Sequence, residues 1–314
     1  MKIKLISFLL FISITLFTLT GCQGKAENTA ATTNGKSENT EATTNGKVDA
    51  GMETRLLEEF DALINTQNVN LKDVFTFLES NISYIAKLNA SQMLLKVETL
   101  QEELIRDFEK KFYPQEVIKI FQEADLAGKD VNDPSSFTDS QISALVQETL
   151  DGGYKIEQAE GMYYPVINYT SYLPFTDYVS DDLKEYFTIM NIESSQVFAK
   201  DAALMITWDE VISRALQSQE FLLNFPDSEK FTAIEELYQR YLNITLLGLN
   251  NTPLFDYESG MMNNEAKAAY EAAVVQKNDR EYLTILEDFM KVVKENGYKL
   301  TDEVDQFRKR FVAQ

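Results

Sequence analysis

The chain has 314 residues, 29 of them basic and 50 acidic, for a net charge of −21, and it contains no histidine. That balance argues against nucleic-acid binding, which needs a basic surface to displace counterions, and against docking on anionic lipid. It is compatible with cationic partners or calcium, and its simplest role is solubility and mutual repulsion at a crowded surface.

The missing histidine excludes a Ser-His-Asp triad, a Cys-His pair, an HExxH zinc site and haem on an axial histidine. Few ordinary side chains are left to titrate between about pH 6 and 8, so stability and binding are expected to change little across that window. Phosphate-loop, dinucleotide and nucleophile-elbow motifs are absent as well. No cofactor and no metal are expected.

In chain order, the first feature is a three-part leader. Lys2 and Lys4 give a positive start, residues 5–19 are apolar apart from isolated Ser and Thr, and Thr20-Gly21 lead to Cys22, the one cysteine of the chain. The apolar run is short for a membrane span, which needs about 20 residues, and suits the core of a secretory signal. Leu19-Thr20-Gly21-Cys22 resembles the bacterial lipobox. That resemblance implies a lipid on the Cys22 sulfur, cleavage just before it, and a mature chain held at the extracytoplasmic face of a cell membrane. Two acyl chains anchor stably, each buried CH₂ contributing about 0.8 kcal/mol. Lipidation consumes the thiol, so the fold is expected to stand without disulfides.

Residues 22–51 read as the lipidated cysteine and a tether. The stretch is built from Ala, Thr, Asn, Gly, Glu and Lys, and an eleven-residue unit starting at Lys25 recurs from Lys36. With almost nothing to bury, it is expected to be disordered, with a root-mean-square reach of about 30 Å.

From residue 52 the pattern turns helical. Leu56, Leu57, Phe60, Leu63 and Ile64 form one apolar face. Leu71, Phe75, Leu78, Ile82 and Ile85 form a second, and Leu94, Val97, Leu100, Leu104 and Phe108 a third that ends near Pro114. With Val117, Ile118 and Phe121 they predict an antiparallel bundle over 52–127. The loop 128–136 is the expected boundary. Asp130, Asn132 and Asp133 crowd there, but without EF-hand spacing or its late glutamate. A second helical domain is expected over 138–314, opening with a Thr138-x-x-Gln141 capping box and a helix that Gly152-Gly153 ends.

The helical pattern breaks over 154–178. Tyr154, Tyr163, Tyr164, Tyr169, Tyr172, Phe175 and Tyr178 fall close together, and Glu160-Gly161 predicts the turn of a hairpin between 154–159 and 162–167. Tyrosines on irregular segments pack across helices or stack on ligands. Tyr154, Tyr163, Tyr164, Tyr169 and Tyr172 are therefore the first candidate binding surface, with Phe255 and Tyr257 of the loop 248–257 as a second. Helices are then predicted from Ser180-Asp181, over 197–205, from a Thr207-x-x-Glu210 capping box with Trp208 as packing anchor, over 229–246, and after Thr301.

Asn224-Phe-Pro-Asp-Ser228 resembles the linker of tetratricopeptide-like helical hairpins. A shift of 52 residues also aligns Asp227, Glu229, Thr232 and Glu235 with Asp279, Glu281, Thr284 and Glu287. From Glu160 onward the chain faintly resembles C-terminal regions of uncharacterised extracytoplasmic proteins of low-GC Gram-positive bacteria, a class that carries no activity over.

The expected fold is all-α: a helical bundle, then an array of helical hairpins, with a short tyrosine-rich insert. The expected function is a membrane-anchored binding or scaffolding module, attached through lipid on Cys22 and engaging an envelope protein or peptide. A solute-binding lipoprotein, which usually needs two α/β lobes, is one alternative. A wall hydrolase using two carboxylates such as Glu157 and Glu160 is another.

Overall fold

A computed structural model describes residues 50–275 and 280–311. The lipobox, nearly all of the tether and Asp279 of the 52-residue alignment lie outside the described residues. The fold is all-α. Among the described residues, the strands occur only as three two-stranded antiparallel hairpins, and no helix is long and apolar enough to cross a membrane.

Helices α1 (Ala50–Ile64), α2 (Leu71–Asn81) and α3 (Lys87–Glu109) begin the chain. Asn70 caps α2 by accepting from the Lys72 N–H at 3.0 Å, and Leu71, Val74, Phe75 and Leu78 are its buried stripe, at the spacing of one helical face. On α3 the buried stripe runs Ala90, Met93, Leu94 and Val97, then continues as Glu98 and Gln101. Leu100, Leu104 and Phe108, expected in the core, are only half-buried. The period is helical as expected, but the buried face is rotated and its last third is polar.

After Pro114, α4 (Gln115–Leu126) and α5 (Ser140–Asp151) flank the loop 127–139. The cap of α5 is Asp139, which accepts from the N–H groups of Gln141 and Ile142 at 2.8 and 3.2 Å. The box expected from Thr138 does not form, because the carboxylate one residue later satisfies the same orphan donors.

Strands β1 (Tyr154–Ala159) and β2 (Met162–Ile167) pair from Tyr154↔Ile167 to Ala159↔Met162. The turn is Glu160-Gly161 with φ of 51° and 78°, the double left-handed geometry that matches strand twist.

The loop 128–136 does not separate two cores. Phe112 and Phe121 before it pack with Phe137, Ile142, Val146, Ile156 and Tyr163 after it. Asn132 braces the hairpin, donating to the Ile156 carbonyl at 2.9 Å and accepting from its N–H at 2.7 Å. The larger core is likewise continuous from Phe60, Val74 and Leu94 to Val211, Tyr241 and Phe289. Polar, Gly- and Pro-containing loops mark where the chain meets solvent, which is a different property from where a core ends.

The second half comprises 3₁₀ turns over Tyr169–Tyr178, then α6 (Asp181–Ser195), α7 (Trp208–Asn224), α8 (Phe231–Leu247), α9 (Asn264–Val274), α10 (Glu281–Glu295) and α11 (Asp302–Arg308). Thr207 caps α7 and Thr301 caps α11. Helices α7 and α8 form a hairpin across the turn at 225–230. Trp208 is buried edge-on against Tyr270, with ring centroids 5.9 Å apart.

The helix expected over 197–205 is absent. That segment forms β3 (Ala199–Lys200) and β4 (Ala203–Leu204), turning through Asp201 and Ala202 at φ of 48° and 56°. It is braced by a matching hairpin, β5 (Gly248–Leu249) and β6 (Thr252–Pro253). The Asn251 N–H donates to the Ala202 carbonyl at 2.9 Å, and the Leu204 N–H donates to the Thr252 hydroxyl at 3.0 Å. Tertiary partners for the backbone outweigh a weak local helical period here.

Candidate functional site

The structure buries five of the seven candidate surface aromatics: Tyr154, Tyr163, Tyr169, Tyr172 and Phe255. Their burial makes them packing residues, and Tyr154 and Tyr169 also form part of the walls of the cavities described below. In the hairpin, strand alternation directs Ile156 and Tyr163 into the smaller core. Over 169–178 the chain has three residues per turn, so Tyr169, Tyr172 and Phe175 share one buried face. Phe255 meets Phe289 edge-on at 6.5 Å. Tyr164 is half-buried. Tyr257 is 75% exposed, its hydroxyl donating to the Asn250 carbonyl at 3.1 Å.

What fixes this segment is a pair of polar residues that sequence reasoning passed over. Glu98 and Gln101 are both fully buried on α3. One Glu98 oxygen accepts from the hydroxyls of Tyr169, at 2.7 Å, and Tyr186. The other lies 2.6 Å from the Lys230 ammonium as an ion pair, and that ammonium sits 4.9 Å from the Tyr186 ring centre.

Gln101 accepts from the Tyr172 hydroxyl and donates to the Gly152 carbonyl at 2.8 Å. The Tyr154 hydroxyl donates to the Gln101 carbonyl at 2.8 Å. One turn of α3 therefore ties together β1, the 3₁₀ segment, α6 and the entry to α8.

Burial, and then the Glu98 charge, push the hydroxyls of Tyr172 and Tyr186 well above the usual tyrosine range. Burial also carries Tyr163 up to about 12, with Asp125 adding to the effect. A tyrosine with a raised folded pKa contributes stability that is intact below its unfolded value near 10 and is lost as pH rises above it. Alkaline unfolding is therefore expected above about pH 10. Ionisation of the buried tyrosines should accompany the loss of helical circular dichroism. Ionisation of Tyr163, Tyr172 and Tyr186 near pH 10 with the helix signal intact would contradict this burial.

Two cavities flank the tyrosine segment. The first, of about 580 Å³, lies among α2, α3 and α5. Leu71, Leu104, Phe108, Ala144 and Tyr154 line it, with the Phe108 and Tyr154 rings stacked at 5.6 Å. Its rim carries the pairs Lys72–Asp151 at 2.9 Å and Lys111–Glu148 at 2.6 Å. Apart from Asp151, a quarter exposed, these side chains are about half or more exposed, so the pairs contribute little. The cleft is thus apolar inside and charge-balanced at its edge.

The second cavity, of about 490 Å³, lies among α3, β2 and α6. It uses the other face of the hairpin, where Glu157 pairs with Tyr164 across the strands. Ile105, Tyr164, Val166, Tyr169 and Met190 form its walls, with Glu102, Glu157 and Glu193 among them.

Burial pushes Glu157 up, but Lys155 at 2.6 Å and Lys200 at 3.2 Å outweigh it and hold the carboxyl below its ordinary range. That pairing unsuits Glu157 to proton donation. Glu193 is raised by burial, against Tyr241 and Arg214, which pull it down. It accepts from the Tyr241 hydroxyl at 2.6 Å, and from Arg214 at 3.2 Å. Glu102 is raised by burial and by the nearby Glu98. Its carboxylate makes no hydrogen bond and no ion pair among the described residues.

The fold and these cavities define an all-α protein of helical hairpins, with two ligand-sized clefts beside a polar hub. The chain matches no protein-family model, no curated protein and no solved structure. Function is therefore argued from geometry.

Proposed function

We propose that this protein is a membrane-anchored extracytoplasmic lipoprotein, held through lipid on Cys22, that acts as a binding or scaffolding module at the cell envelope. Its site is the cleft among α2, α3 and α5, and its ligand is an apolar group of an envelope protein or peptide. One observation carries this reading: a 580 Å³ cleft with a stacked Phe108–Tyr154 pair in its wall and its rim charges already paired. Such a site offers burial to an apolar group and offers few unpaired polar atoms for chemistry.

The two-lobed α/β architecture of solute-binding proteins has no counterpart in the all-α arrangement. The carboxylate hydrolase loses its first acid because Glu157 is held ionised by two lysines.

Two variants test the reading. Cys22→Ala should move the protein from the membrane fraction to the medium. Ala144→Trp should fill the cleft from an exposed position without touching the core. Pull-downs from intact cells should recover a specific partner with the wild type and lose it with Ala144→Trp. Equal recovery by both would sink the cleft as the site.

A further inference from the structure

The cavity among α3, β2 and α6 has walls of unusual chemistry. Ile105, Val166 and Met190 give it apolar surface, and Tyr164 and Tyr169 add aromatic rings. Every charged residue lining it is a carboxylate, with no lysine or arginine among them. The hydroxyl of Tyr169 is committed to Glu98. Glu157 is committed to Lys155 and Lys200, and Glu193 to Tyr241 and Arg214. Glu102 alone among the three carboxylates has no hydrogen-bond or ion-pair partner among the described residues, and the Lys230 charge reaches it only from beyond ion-pair distance. Among the described residues the carboxylates do not converge as a metal-binding group, and with Glu157 and Glu193 paired to cations the charge left to a ligand at this apolar wall is that of Glu102.

A ligand matching this surface has one positive charge for Glu102 and a hydrocarbon body for Ile105, Val166 and Met190. A cation over aromatic rings gains further attraction from their quadrupoles. The volume of about 490 Å³ suits a small organic molecule or a single long side chain. An anion would meet the Glu102 charge, and a neutral alcohol would leave that exposed carboxylate to solvent.

We propose that this cavity binds an alkylammonium group, with Glu102 pairing the charge and the Ile105–Val166–Met190 wall burying the alkyl chain. The proposal concerns a second site and does not depend on the cleft among α2, α3 and α5.

The mature chain is titrated separately with n-hexylammonium chloride, n-hexanol and sodium hexanoate, using calorimetry for affinity and NMR shifts of Ile105 and Met190 for location. Hexylammonium should bind roughly two- to fivefold tighter than hexanol, the worth of an ion pair at an exposed carboxylate, and hexanoate should not bind. Glu102→Gln should remove most of that preference while leaving hexanol affinity unchanged, which also shows that the variant is folded. An acetylated, amidated lysine in a fourth titration separates the sources. Affinity matching hexylammonium points to a lysine of a peptide, and weaker affinity points to a free amine. Equal binding of hexanol and hexylammonium, an unchanged preference in Glu102→Gln, or shifts that spare Ile105 and Met190 would each overturn the proposal.

Discussion

Replacing Glu98 by alanine is expected to destabilise the protein by about 3–5 kcal/mol, the cost of breaking a buried ion pair from one side. Glu98 is fully buried on α3. Its removal strands the Lys230 ammonium, which is only 19% exposed, together with the hydroxyls of Tyr169 and Tyr186.

The loss is large because the stranded ammonium and hydroxyls lie between α3, α6 and the start of α8, where leaving a buried donor unpaired carries its full desolvation penalty. Glu98→Gln keeps the shape and one acceptor, and should cost less. The double variant Glu98→Leu, Lys230→Met removes both charges and should recover much of the loss, since an apolar pair avoids desolvating two ions. Urea unfolding of the three variants decides the matter. A single-variant loss below about 1 kcal/mol, the worth of a solvated surface pair, would contradict a buried hub.

Gly248→Ala should cost at least about 3 kcal/mol, combining backbone strain with overpacking. Gly248 ends α8 at φ 75° and ψ −159°, a region open essentially to glycine alone. A Cβ there would lie 2.3 Å from the Leu254 amide nitrogen and 2.6 Å from the Thr252 carbonyl oxygen. Both are backbone atoms in or beside β6, so no side chain can swing away to relieve the clash.

Gly297 is the control. It also has positive φ, at 64°, but a Cβ added there meets nothing within 4 Å. Gly297→Ala should therefore cost only the conformational term of about 1–2 kcal/mol. Thermal unfolding of the two variants should separate them clearly, and equal shifts would mean that the β5–β6 hairpin yields more easily than its geometry implies.

Sequence periodicity recovered most of the helices and the Glu160-Gly161 hairpin, because apolar spacing and turn chemistry are local signals. For the tyrosines it left packing and ligand stacking both open, and the structure buries most of them. The spacing Tyr169-x-x-Tyr172-x-x-Phe175 is the three-residue period of a 3₁₀ turn. Aromatics at that period share a face, which is a packing signature.

The hub was hidden for a different reason. A glutamate on a long helix ordinarily reads as solvent-facing, so residue type gives no sign that Glu98 is buried. The stripe Ala90, Leu94, Val97 and Gln101 places the neighbouring Glu98 on the buried side. The hairpin at 199–204 had no local signal strong enough to overrule a helix, since its brace comes from Asn251 and Thr252, far along the chain. Neither cavity was legible, because each is walled by elements that only the fold brings together.

A photo-crosslinking residue placed at Ala144, on the rim of the cleft, tests the central proposal most directly when the protein is expressed on live cells. A second crosslinker at Asp288, exposed on α10 and outside the cleft lining, serves as the reference. The proposal expects one discrete adduct from position 144 that position 288 does not give. No adduct from 144, or the same diffuse pattern from both positions, would contradict a cleft that receives an envelope partner.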